Sequence, residues 1–116
     1  MSDSLTSLRD RLRLFAHERD WEQFHTPRNL ACAISIEAGE LLEHFLWKGD
    51  STGKTVLQEE REAIAQEVAD VLIYLVRLAD VLEIDPVSAA NDKIESNARR
   101  YPADLVRGTT KKHSEQ

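Results

Sequence analysis

The sequence predicts an all-α fold, a four-helix bundle, on three observations. Apolar residues recur at helical spacing; the three prolines, at 27, 86 and 102, stand where helices can begin or end; and no useful length of chain alternates apolar with polar residues as a strand would.

A first helix is expected near residues 4–20. Thr26 followed by Pro27 reads as an N-cap and first helical residue, opening a second helix near 27–47, and Asp85 followed by Pro86 repeats the arrangement before a fourth near 86–99. A third is expected over 58–83, where about 26 residues would span about 39 Å. Lys48 to Thr55, with two glycines and small polar residues, reads as the connecting loop. It ends in Gly53, Lys54 and Thr55 like a phosphate-binding P-loop, but its spacing is one residue short and it follows a helix rather than a strand. The turn reading therefore holds, with Lys48 and Lys54 still able to approach a phosphate. Residues 1–102 are expected to form one domain, and 103–116, ending Lys111 to Gln116, a polar tail.

The 116 residues carry a formal net charge of −6, which argues against a general nucleic-acid binder, because backbone affinity needs clustered Lys and Arg in excess. Any phosphate ligand must then be met locally, by a metal ion or a few placed cations. Cys32 is the single cysteine, so neither an intrachain disulfide nor a cysteine-based zinc site can form. No apolar run approaches the roughly 20 residues that span a bilayer, and Asp3, Arg9, Asp10, Arg11 and Arg13 interrupt any leader. A cytoplasmic protein without membrane association is the expectation.

Four carboxylates stand where solvated charges should not. On the second helix Leu30, Ile34, Leu41 and Phe45 form one apolar stripe; Glu37 lies about 20° from Leu30 within it, and Glu40 lies on its flank. On the third, Ile64, Val68, Val71, Leu75, Leu78 and Leu82 form the matching core-facing stripe, with Glu67, Asp70 and Tyr74 along one edge. Two acid pairs at i, i+3 on packed helices need a compensating positive charge, since mutual repulsion and desolvation both favour protonation. No matching set of basic residues is in register. A hard divalent cation such as Mg²⁺, which takes oxygen ligands and bridges carboxylates to phosphates, meets the need. The alternative is that Glu40 and Asp70 are merely solvated and Glu37 sits at the mouth of a loose core. A carboxylate-bridged di-iron site fails on pattern, because it calls for Glu-x-x-His and here His44 follows Leu41 at that spacing.

The chain resembles the all-α nucleotide pyrophosphohydrolases of the MazG-like superfamily and, within it, the dCTP pyrophosphatase branch. The resemblance is carried by Arg19-Asp20-Trp21-Glu22-Gln23-Phe24-His25-Thr26-Pro27-Arg28-Asn29-Leu30, by Glu37-Ala38-Gly39-Glu40-Leu41, by Trp47-Lys48, and by Glu67-Val68-Ala69-Asp70-Val71-Leu72-Ile73-Tyr74-Leu75. Lys93-x₃-Asn97-x₂-Arg100-Tyr101-Pro102 completes it. It implies that Glu37, Glu40, Glu67 and Asp70 bind Mg²⁺ and carry catalysis. It implies too that Trp21, His25, Trp47 and Tyr74 line the base and sugar pocket, that Lys93 and Asn97 face the phosphates, and that a deoxynucleoside triphosphate, dCTP or a modified dCTP, is split into the monophosphate and pyrophosphate. A homotetramer built as a dimer of dimers is implied as well.

Read without the resemblance, Trp47 serves equally as core or interface packing, Lys93 and Asn97 as a solvated face, and His25 as a structural residue. The rival classes are a non-catalytic helical assembly module, which would not need all four acids, and an enzyme acting on a different phosphorylated substrate. The third helix is apolar around most of its circumference, more than one partner helix in the same chain can cover, which predicts a homo-oligomer.

Overall fold

The computed structural model describes residues 4–46 and 58–109. Its helices are α1 (Leu5–Glu18), α2 (Pro27–Glu43), α3 (Gln58–Val81), α4 (Pro86–Arg100) and α5 (Ala103–Val106), with a 3₁₀ turn at Glu22–Phe24 and no strand among the described residues. Each of the four expected helices has its counterpart. The 3₁₀ turn and α5, the latter inside the segment expected to be a polar tail, carried no spacing signal. The expected loop from Lys48 to Thr55, with Trp47 before it, lies outside the described residues.

The helix starts follow from capping. Thr26 accepts the N–H of Asn29 at 3.2 Å ahead of Pro27, and Asp85 accepts those of Val87 and Ser88, each at 3.1 Å, ahead of Pro86. Ser4 caps α1 through the Ser7 N–H. The ends of α1 and α3 come two residues earlier than the apolar spacing suggests, and both have the same cause. Asp20 (φ 55°) and Glu83 (φ 56°) are left-handed. The next residue's N–H reaches back over the last turn, Trp21 to the carbonyl of Ala16 at 2.9 Å and Ile84 to that of Ala79 at 2.8 Å. This is the Schellman closure, built here on an Asp and a Glu instead of glycine.

The chain divides into two compact units, residues 1–84 and 85–116. In the first, α3 packs along α2 and also receives α1. Among the described residues its buried apolar side chains are Ala16, Leu30, Val76 and Ala79. This corrects the expected stripe of α3: Val68 (50% exposed), Leu75 (46%) and Leu82 (47%) stay open within the single chain, and Val76 and Ala79 turn inward instead. A helix apolar on nearly every side gives periodicity no unique face to select. The second unit holds α4, capped by Asp85, and α5.

Candidate active site

Packing α2 along α3 brings the two acid pairs together. One carboxylate oxygen from each of Glu37, Glu67 and Asp70 lies within 4.8 Å of the others. All three residues are half-buried, while Glu40 is exposed at the edge of the group. Oε2 of Glu37 and Oε2 of Glu67 are buried and have no hydrogen-bond partner. Glu37 is pushed up to about 7, first by burial and then by the carboxyls of Glu40 and Glu67, with which it can share a proton. When all are ionised no proton is left to share, and the oxygens face one another without a donor. His44, at the end of α2, brings Nε2 to 3.9 Å from Oε1 of Glu67, too far for a direct hydrogen bond.

Asp70 also belongs to the wall of a cavity of about 510 Å³, with Trp21, His25, Tyr74, Arg11 and Arg77 among its other lining residues. α1 supplies Phe15, whose ring meets Trp21 edge-on at 5.8 Å and 68°. The tight closure of α1 turns Trp21 back over that helix, and the following 3₁₀ turn carries the chain to His25. Such a cavity, with flat faces, a few placed polar atoms and a carboxylate group at its edge, suits a planar base joined to an anion.

Behind the cavity runs a charged chain. Nε of the buried Arg77 donates to Nδ1 of His25 at 3.0 Å, and Arg77 also donates to Oδ2 of Asp80 at 3.3 Å. Arg13 of α1 grips Asp80 with two hydrogen bonds, at 2.7 and 2.6 Å. The Arg13 fork, more than any other influence, holds the Asp80 carboxyl below its usual range against the opposing effect of burial.

Of the residues singled out from sequence, Glu37, Glu67 and Asp70 converge, with Glu40 beside them. Trp21, His25 and Tyr74 share one cavity with Asp70. Trp47 lies outside the described residues. Lys93 and Asn97 are exposed on α4, in the second unit. Sequence reasoning missed Arg77, Arg11 and Phe15. Arg77 had a signal: it stands seven residues after Asp70 and three after Tyr74, within about 20° of Asp70 on the helical wheel.

A model of the MazG-like family matches residues 32–115. Among curated proteins the chain is 48% identical to dCTP pyrophosphatase 1 of Homo sapiens over 103 residues, covering 87% of this chain and 61% of that one. It is 47% identical to the dCTP pyrophosphatase 1 of Bos taurus with the same coverage. The chain thus spans about three fifths of the length of these relatives. Among solved structures, a pyrophosphatase from Archaeoglobus fulgidus DSM 4304 superposes with a TM-score of 0.78 at 46% identity, over 88% of this chain and 95% of the other. With the family model matching most of its length and relatives close to half identical, the chain belongs to the MazG-like family.

Proposed function

We propose that this chain is a Mg²⁺-dependent nucleoside triphosphate pyrophosphohydrolase that converts dCTP, or a modified dCTP, to the monophosphate and pyrophosphate. The observation that carries the reading is the pair of buried, partnerless oxygens of Glu37 and Glu67 beside Asp70, at the edge of an aromatic-walled cavity. Oxygen-only donors, half-buried and mutually repelling, fit a hard divalent cation. The curated relatives named for dCTP cleavage support the substrate.

Glu37, Glu67 and Asp70, with Glu40 at the open edge, would hold the ion. When bound, Mg²⁺ supplies charge neutralisation to the polyphosphate and acidifies water. Glu40 stands against Glu37 but outside the converging trio, which leaves it to orient the attacking water and accept its proton. Trp21 and Tyr74 take the faces and edge of the base, with Trp47 as a further stacking candidate and His25 as a hydrogen-bonding wall. For Lys93 and Asn97 as phosphate contacts the support is the resemblance alone. No nucleophilic side chain is called on. The enzyme acts in the cytoplasm as a homotetramer, a dimer of dimers, with a reading in favour of assembly from the apolar surface that α2 and α3 leave open.

The test is a screen of canonical and 5-modified nucleoside triphosphates with Mg²⁺, detecting pyrophosphate. dCTP or a 5-modified dCTP should be cleaved first, and chelator should stop the reaction. Full activity in excess chelator, or a preference for purine triphosphates, would overturn the reading.

A further inference from the structure

His25 lines the cavity, and its ring is not free to choose its protonation. A guanidinium has only donors and stays charged across the pH range in which proteins fold. Since Arg77 Nε donates to Nδ1 of His25 at 3.0 Å, Nδ1 must carry a lone pair. A neutral ring then keeps its proton on Nε2. An imidazolium would aim a second N–H at the Arg77 cation.

Arg77 is itself held in place. It is 9% exposed, and it donates to Asp80, whose side chain is 9% exposed and is fixed from α1 by Arg13. The chain Arg13, Asp80, Arg77, His25 therefore links α1 and α3 to the segment before α2 through oriented hydrogen bonds. The electrostatics agree in direction: burial first, and the Arg77 charge second, hold His25 below its usual pKa, with Glu22 opposing.

We propose that Arg77 is a positioning residue that locks His25 as the neutral Nε2–H tautomer, so that the cavity offers a fixed uncharged donor and selects a ligand acceptor there, a base carbonyl or unprotonated ring nitrogen. The ligand class rests on the reading of this cavity as the base pocket; the tautomer does not. Cytosine carries such acceptors in its ring carbonyl and adjacent nitrogen, whereas its exocyclic amino group would set a donor against the donor at this position.

The deciding measurement is a long-range ¹H–¹⁵N correlation spectrum of the ¹⁵N-labelled full chain at about pH 7, where neutral histidine predominates. The His25 Nδ1 should resonate as a lone-pair nitrogen and Nε2 as a protonated one. A protonated Nδ1, or an averaged pair, overturns the proposal, whatever substrate the enzyme takes. For the ligand side, His25→Phe should raise the KM for dCTP about tenfold, the size of one hydrogen bond, with a smaller change in kcat, and Arg77→Met should raise it by less, because the released ring still reaches the Nε2–H form. The double variant should be no worse than His25→Phe alone, since Arg77 acts only through the ring that this substitution removes. Losses that multiply in the double variant would show that Arg77 acts through something other than His25. Should Arg77→Met fail to fold, the wild-type spectrum and His25→Phe decide between them. A wild-type chain that leaves dCTP uncleaved overturns the functional reading and leaves the tautomer to the spectrum.

Discussion

Oε2 of Glu37 and Oε2 of Glu67, on two different helices, are both buried and both without a hydrogen-bond partner. Burial first, and the neighbouring carboxyls second, push Glu37 up to about 7, and like charges in that position destabilise the metal-free protein. Two opposite effects should follow from one substitution. Glu37→Gln or Glu67→Gln is expected to abolish turnover while raising the melting temperature of the metal-free chain, because the amide removes a charge and adds a donor. Melting curves with and without Mg²⁺ check this: wild type should gain stability from the ion and the variants should not. A variant that keeps full activity would exclude these acids from the ion site.

For the proposed base pocket, Trp21→Ala should weaken dCTP binding by about 1–3 kcal/mol, the usual size of a lost base–aromatic stack. Trp21 is 45% exposed, so its removal leaves the buried core intact. The helical signal in circular dichroism should stay constant while KM rises. An unchanged KM would mean that Trp21 packs on Phe15 and does nothing more.

The acids and the helix starts were legible in the sequence because each depends on local spacing. Glu37 falls inside an apolar stripe whatever the partner, and Thr26-Pro27 and Asp85-Pro86 write their caps in consecutive residues. The Arg13, Asp80, Arg77, His25 chain was not legible, since it joins residues up to 67 positions apart. Only the wheel position of Arg77 beside Asp70 hinted at it. The buried face of α3 was misjudged for another physical reason. Val68, Leu75 and Val76 are equally apolar, and which of them turns inward is decided by where α1 and α2 land, not by hydrophobicity.

That charged chain gives a pH dependence with a defined sign. Asp80 is held below its ordinary value of 3.8, mainly by Arg13. Its contribution is therefore complete above that value and is lost as pH falls through the folded-state pKa. Asp80→Asn should cost about 1–2 kcal/mol at pH 7, moderated by the half-exposure of Arg13. The gap from wild type should close in acid. Urea unfolding midpoints between about pH 5 and pH 2 would show it, and a gap that stays constant would remove the ion pair as its source.

The uncovered surface predicts assembly. Ile36 (61% exposed) and Leu42 (59%) on α2 join Val68 and Leu75 on α3 and Leu82 just past its end, more open apolar side chains than two helices of a monomer normally leave. Four chains of 13.2 kDa would scatter light as a particle of about 53 kDa. Val68→Lys should shift that mass downward. An active monomer at assay concentration would contradict the tetramer.

The end of α3 offers a stability change that no contact in the site should feel. Glu83 sits at φ 56°, and its N–H meets the carbonyl of Asp80 at 3.0 Å while Ile84 closes on Ala79. The left-handed conformation costs a non-glycine residue about 1–2 kcal/mol, through the approach of Cβ to the following carbonyl. Glycine removes that cost but gains about 0.5–1 kcal/mol of backbone freedom in the unfolded chain. The balance favours Glu83→Gly by about 0.5–1 kcal/mol, a rise of a few degrees in melting temperature for a domain of this size. Asp20→Gly, at the matching end of α1, should gain less, because Asp tolerates the left-handed region better than Glu. Glu83→Ala keeps the Cβ and should gain nothing. Thermal unfolding of the three variants separates these cases, and a lower melting temperature for Glu83→Gly would mean that the Glu83 side chain contributes more than its backbone strain costs.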